Sequence, residues 1–215
     1  MKDLCRELAW ATIDAGLWGT AGTVEHNLEV AAIAMKHGLH GFYTEWKETG
    51  LNSTLTEIHA MSAKLFGTNS DRKLRTKGAE TWGFLLFLVH MFNRRWKIQG
   101  RLQRESVRLF EAAECMIKLC YRMDNIGRKF CDSDIDECLE HWKRFCSLTR
   151  HCERLLTPKR HILWHMLQRA AFLGNPLFYA NWTDEGLNRV LKGACREQSQ
   201  VTFEECVLLS MPFLV

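Results

Sequence analysis

His161 and His165 stand four residues apart in the run Pro158-Lys159-Arg160-His161-Ile162-Leu163-Trp164-His165. On a helix that spacing puts both imidazoles on one face, as in the helical histidine pairs that hold zinc. The glutamate that a metalloprotease carries directly after its first histidine is missing, because Ile162 takes its place. The pair therefore reads either as imidazoles bonded to neighbouring backbone or carboxylates, or as part of a metal site completed by a carboxylate such as Glu185. Asp184 and Glu185 open a periodic stretch over residues 183–197. Acidic residues at a helix start are favoured by the helix dipole alone. For Glu185 to be a metal ligand in phosphodiester chemistry, further acidic ligands must converge on it from elsewhere.

On the same stretch Arg189, Lys192 and Arg196 recur at helical spacing and form a basic stripe, to which Lys159 and Arg160 add. Such a stripe either tracks phosphates or is a solvated face. Two other basic groups occur, Arg72, Lys73, Arg75 and Lys77, and then Arg94, Arg95, Lys97, Arg101 and Arg104 with Trp96 among them. Interleaved basic and aromatic residues suit a single-strand platform, and equally an exposed loop. The glycines of Gly16-Leu17-Trp18-Gly19-Thr20-Ala21-Gly22 lack the lysine and hydroxyl that close a phosphate loop. Nine cysteines is an odd count, and Cys131, Cys138, Cys146 and Cys152 recur so as to fall mostly along one helical stripe. They read as free core thiols in a reducing compartment rather than as a disulfide framework.

Three runs together resemble the C-terminal, last-glutamate region of CACTA-like and related DDE-type DNA transposases. They are Thr157-Pro158-Lys159-Arg160-His161 through His165, then Gly174-Asn175-Pro176, then Asp184-Glu185-Gly186-Leu187-Asn188 with Lys192. Upstream, Lys77-Gly78-Ala79-Glu80-Thr81-Trp82-Gly83-Phe84-Leu85-Leu86 is similar to the tryptophan-bearing helix of the same proteins. The resemblance extends over about residues 51–197. It implies an RNase H-like nuclease that uses three carboxylates and two divalent metals, with Glu185 matching the last carboxylate and Mg2+ bound only where the site is complete. The chain departs from that pattern before Lys77, where neither the strands nor the first two aspartates of such a core can be found. A helical scaffold that contacts DNA, without autonomous strand cleavage, is the expectation that follows.

The elements that must position these residues are helices. Only Pro158, Pro176 and Pro212 are present, so no proline interrupts the first 157 residues. Apolar recurrence at three and four residues predicts helices over 3–15, 24–37, 53–66, 77–92, 104–122, 133–155, 158–172 and 183–197, with a short ninth near 203–209. Gly38 and Gly67 read as helix stops, and Thr157 before Pro158 as a hydroxyl cap and a proline start. Ile135, Cys138, Leu139, Trp142, Cys146, Thr149 and Cys152 form one seam, the pattern of an antiparallel bundle partner. No convincing strand alternation or internal repeat is present. The fold expected is all-α, an irregular bundle of about eight to nine helices in one domain over residues 1–215.

Composition sets outer bounds. Apolar residues make up 47% and charged residues 25%, the mixture of a globular chain with a real core. A net charge of +4 is compatible with DNA as a partner and with many other functions. The apolar run from Trp82 to Phe92 is far short of the roughly 20 residues that cross a bilayer, and no secretory signal opens the chain. An intracellular, reducing location, the nucleus included, is expected. Eight tryptophans and twelve phenylalanines also suit a non-catalytic assembly subunit with protein partners or self-association. A metal-dependent hydrolase built on His161, His165 and a carboxylate is the third reading.

Overall fold

The computed structural model describes residues 1–20, 22–49, 55–156 and 158–179, with the side chains of Pro158, Lys159 and Tyr179 outside the description. The elements are α1 (Lys2–Asp14), α2 (Val24–Glu48), α3 (Ala63–Phe66), α4 (Gly78–Met91), α5 (Lys97–Gln99), α6 (Arg104–Asn125), α7 (Asp132–Leu148), α8 (Pro158–Gln168) and α9 (Ala170–Leu173). A π-helical turn (Phe92–Trp96) joins α4 to α5, and 3-10 turns cover Glu153–Leu155 and Pro176–Tyr179. Among the described residues no strand forms, and the single extended pairing is an isolated bridge between Gly67 and Arg72. The fold is all-α. The expected helices over 183–197 and 203–209, and the Thr157 cap, lie outside the described residues.

α1 sits at the centre with a wide buried face, and on its outer side Arg6 pairs with Asp3 and Glu7. It buries Leu4, Cys5, Leu8, Ala9, Trp10 and Ile13, and it packs against α4, α6, α2 and the 3-10 turn at Glu153–Leu155. Its polar groups are tied off internally. Trp10 Nε1 donates to the Phe66 carbonyl at 3.2 Å, and Trp18 Nε1 donates to the Thr12 hydroxyl at 2.7 Å. The open carbonyls at its C-terminal end, Ala15 and Gly16, accept from the Arg101 guanidinium at 3.3 Å each.

α4 is the second buried element, with Phe84 through Val89 all inside. Glu80 accepts from the Lys77 N–H at 2.7 Å and secures its first turn. The π turn that follows keeps both Phe92 and Trp96 pointed inward. Phe92 stacks on Phe110 of α6 at 4.5 Å, and Trp96 meets Trp18 edge-on at 4.9 Å. The buried side chains form one contiguous cluster reaching from Leu4 to Ala170.

Four expected boundaries are corrected. Gly38 does not stop α2, which runs on to Glu48, because a Cβ at Gly38 would sit 3.2 Å from Phe87 Cζ. The glycine lets α2 lie close on α4. Of the helix expected over 53–66, the described residues form only Ala63–Phe66; residues 55–62 run without helix, with Ile58 and Met61 buried and the Ile58 N–H bonded to the Tyr43 hydroxyl. The helix expected over 133–155 ends at Leu148, where the buried Thr149 hydroxyl donates back to the Phe145 carbonyl at 2.8 Å. Cys152 therefore leaves the α7 seam, and Phe145 joins it with Ile135, Cys138 and Trp142. The helix expected over 158–172 is likewise split at Arg169 into α8 and α9.

α6 and α7 form an antiparallel hairpin, the most extensive pairing of the described residues. Arg122 clamps its closed end, 2.8 Å from both Asp134 and Glu137. Its buried Nε has no hydrogen bond of good angle, so the Glu137 contact acts through charge alone. No helix among the described residues is long and apolar enough to cross a membrane.

Candidate nucleic-acid interface

The Gly174-Asn175-Pro176 turn, the middle run of the resemblance, is fastened to the C-terminal end of α6. Asn175 is 1% exposed. Its Nδ2 donates to the carbonyls of Met123 at 2.6 Å and Ile126 at 3.0 Å, with Gly127 at 3.4 Å, while its own N–H donates to the Arg128 carbonyl at 2.8 Å. One buried amide thus satisfies carbonyls that the end of a helix leaves open. Gly174 has φ +79°, and a Cβ there would lie 2.5 Å from the Arg128 carbonyl oxygen, so only glycine fits. The contact fixes where residues 170–179 lie relative to the loop of residues 126–131.

The aromatic and basic residues of this end are outward. Phe172 of α9 is 92% exposed and Phe178 is 56% exposed. The Arg128 guanidinium stands 5.6 Å from the centroid of the Phe178 ring. Lys129 and Arg169 are also exposed. Neither Phe172 nor Arg128 stands out in the sequence, because Phe172 falls in an apolar helical pattern that reads as core.

Arg160 turns inward. Its guanidinium donates to the Cys146 and Leu155 carbonyls at 3.3 and 3.4 Å and lies 5.4 Å from the Phe145 ring, tying α8 to the end of α7. Lys159 is the second residue of α8, its side chain outside the description, and Glu185, Arg189, Lys192 and Arg196 lie outside the described residues.

The second basic group does not form the aromatic platform its spacing allows. Trp96 is 1% exposed, Arg94 reaches Glu45 at 3.1 Å, and Arg101 is spent on α1. In the first group Arg72 pairs with Asp14 at 2.7 Å and lies over Trp10, while Lys73 pairs with Asp71. Arg95 and Arg104 are exposed without an ion pair among the described residues.

His161 and His165 do converge. Their Nε2 atoms are 2.9 Å apart on an exposed face, with the rings nearly perpendicular. The contact is a hydrogen bond in which one ring donates and the other accepts, the roles set by the tautomers. A metal held at ~2.0–2.1 Å from both would subtend about 90°, narrower than a tetrahedral zinc site requires. Among the described residues no group of three His, Cys, Asp or Glu side chains converges on a common point. The described donors therefore do not fit the divalent-metal pair of a transposase core, which needs several carboxylates.

At the opposite end of the α6–α7 hairpin a cleft of about 440 Å³ is lined by Glu105, Arg108, Leu109, Leu148, His151 and Cys152. His151 Nε2 accepts from Arg150 at 2.9 Å, and burial pushes the Cys152 thiol up. A thiol so disfavoured as thiolate is a poor nucleophile. The seven described cysteines are free thiols.

No protein-family model, curated protein or solved structure matches the chain.

Proposed function

We propose that this chain is a helical, DNA-interacting domain of transposase descent without a complete catalytic site of its own. The observation that carries the reading is the buried Asn175 lock. The central run of the resemblance is held rigidly against the α6–α7 hairpin and leads into the segment bearing Asp184, Glu185, Arg189, Lys192 and Arg196.

The test is a salt titration of binding to duplex and single-stranded DNA by the full chain and by the Arg189→Ala, Lys192→Ala, Arg196→Ala triple variant. Binding should fall steeply with salt, and the variant should bind more weakly with a flatter slope, by roughly 0.7–0.9 for each phosphate it no longer neutralises. Equal affinity and slope in the two proteins would sink the basic-stripe assignment. Added Mg2+ and Glu185→Gln belong in the same titration, because magnesium dependence abolished in that variant would mark a surviving metal site. Absence of any DNA binding at low salt would leave the assembly-subunit reading, for which exposed apolar side chains such as Ile33, Ile98 and Phe172 are candidate anchors.

A further inference from the structure

We infer that Phe172 and Phe178, either side of the Gly174-Asn175-Pro176 turn, form with Arg128 and Arg169 a stacking platform for unpaired nucleobases of single-stranded DNA. The inference rests on the DNA reading above and names the form of DNA that this face takes.

Among the described residues Phe172 is the most exposed of the large apolar side chains, at 92%, and Leu173 beside it is 56% exposed. Burying a phenylalanine is worth about 1.5–3 kcal/mol, so a fold with a full core has every reason to bring it inside. It is instead held out. α9 is only four residues long, its Phe172 and Leu173 N–H groups donate to the Arg169 carbonyl, and the next two residues are locked to the 123–128 segment through Asn175. The backbone on both sides of the ring is thus tied down. Phe178, on the far side of the same turn, already carries a guanidinium over its face. Exposed π faces with arginine planes next to them are the elements on which proteins stack successive bases.

Charge favours a nucleic acid modestly. Arg128, Lys129 and Arg169 are exposed around the turn, against Asp124 at the end of α6 and Asp132 at the start of α7. Stacking therefore carries more of the affinity than phosphate contact does, and three cations give a log–log salt slope no steeper than about −2. A lipid surface is a poorer fit, because four-residue α9 is too short to lie in an interface as an amphipathic helix.

The experiment uses the full chain with a single-stranded oligonucleotide containing 2-aminopurine and a blunt duplex of equal length. Binding is read by anisotropy and stacking by 2-aminopurine fluorescence, for the parent and for Phe172→Ala, Phe172→Leu and Phe172→Trp. The platform predicts tighter binding to the single strand and fluorescence quenched on binding. Phe172→Ala should weaken single-strand binding about 5- to 150-fold with the salt slope unchanged, since base stacking on an aromatic is worth about that much. Phe172→Trp should restore it and Phe172→Leu should not. At 92% exposure none of these substitutions threatens the fold, and unchanged melting curves check this. If the parent binds DNA but Phe172→Ala binds the single strand equally well, or Phe172→Leu keeps full affinity, the platform is overturned and the DNA reading stands. If Phe172→Ala instead converts a dimer to a monomer, the face belongs to a second copy and the platform is likewise overturned. Failure of the parent to bind any DNA overturns both.

Discussion

Asn175 is the residue on which the arrangement of the candidate interface turns. Removing its amide leaves the Met123 and Ile126 carbonyls unpaired at a buried helix end, and each such group costs ~1–3 kcal/mol. Asn175→Ala should therefore destabilise the chain by about 2–4 kcal/mol in urea titration. Asn175→Asp should be worse at neutral pH, since it sets a carboxylate against carbonyl oxygens. The sequence shows Gly-Asn-Pro as a turn, but not that the asparagine is a buried cap for a helix that ends 50 residues earlier, because the bond is wholly tertiary. The same limit hides Phe172. Its apolar spacing gives it to a core face, and only the break at Arg169 turns it out. His161 and His165 were legible as a pair because four residues on one helix is local geometry.

At the scale of elements, α2 separates two glycines that the sequence does not distinguish. Gly41 has nothing within 4 Å of a built Cβ, so Gly41→Ala should stabilise the helix by ~0.5–1 kcal/mol, a rise of about 2 °C in Tm. Gly38→Ala should show no such gain. Its Cβ meets Phe87, whose ring is itself packed against Trp18, Phe42 and Phe84 and has little room to yield. Paired thermal melts check both; a gain at Gly38 equal to that at Gly41 would remove the packing reason given for it. The helical class and the α1, α4, α6 and α8 starts could be read from periodicity and caps. The run through Gly38, the unwound 55–62 segment and the early end of α7 could not. Each is decided by what lies across from it: Phe87, Tyr43 and the back-bonded Thr149 hydroxyl.

At the scale of the whole molecule, buried thiols on different helices give stability an alkaline limit. Burial pushes Cys120 of α6 and Cys138 of α7 up to about 11, and Cys5 of α1 higher still. A thiol with a raised folded-state pKa contributes stability that is complete below its unfolded value near 8.5 and is lost as pH rises through the folded value. The urea midpoint should thus hold to about pH 9 and fall toward pH 11, with a shallower fall in the Cys120→Ala, Cys138→Ala variant. The central place of α1 also bears on how the chain is made. The helix leaves the ribosome before two of its main partners, α4 and α6, and α6 ends at Asn125. At ~5–20 residues per second its apolar faces wait about 5–20 s for α6. For that interval Leu4, Leu8 and Trp10 are what a nascent-chain chaperone would meet.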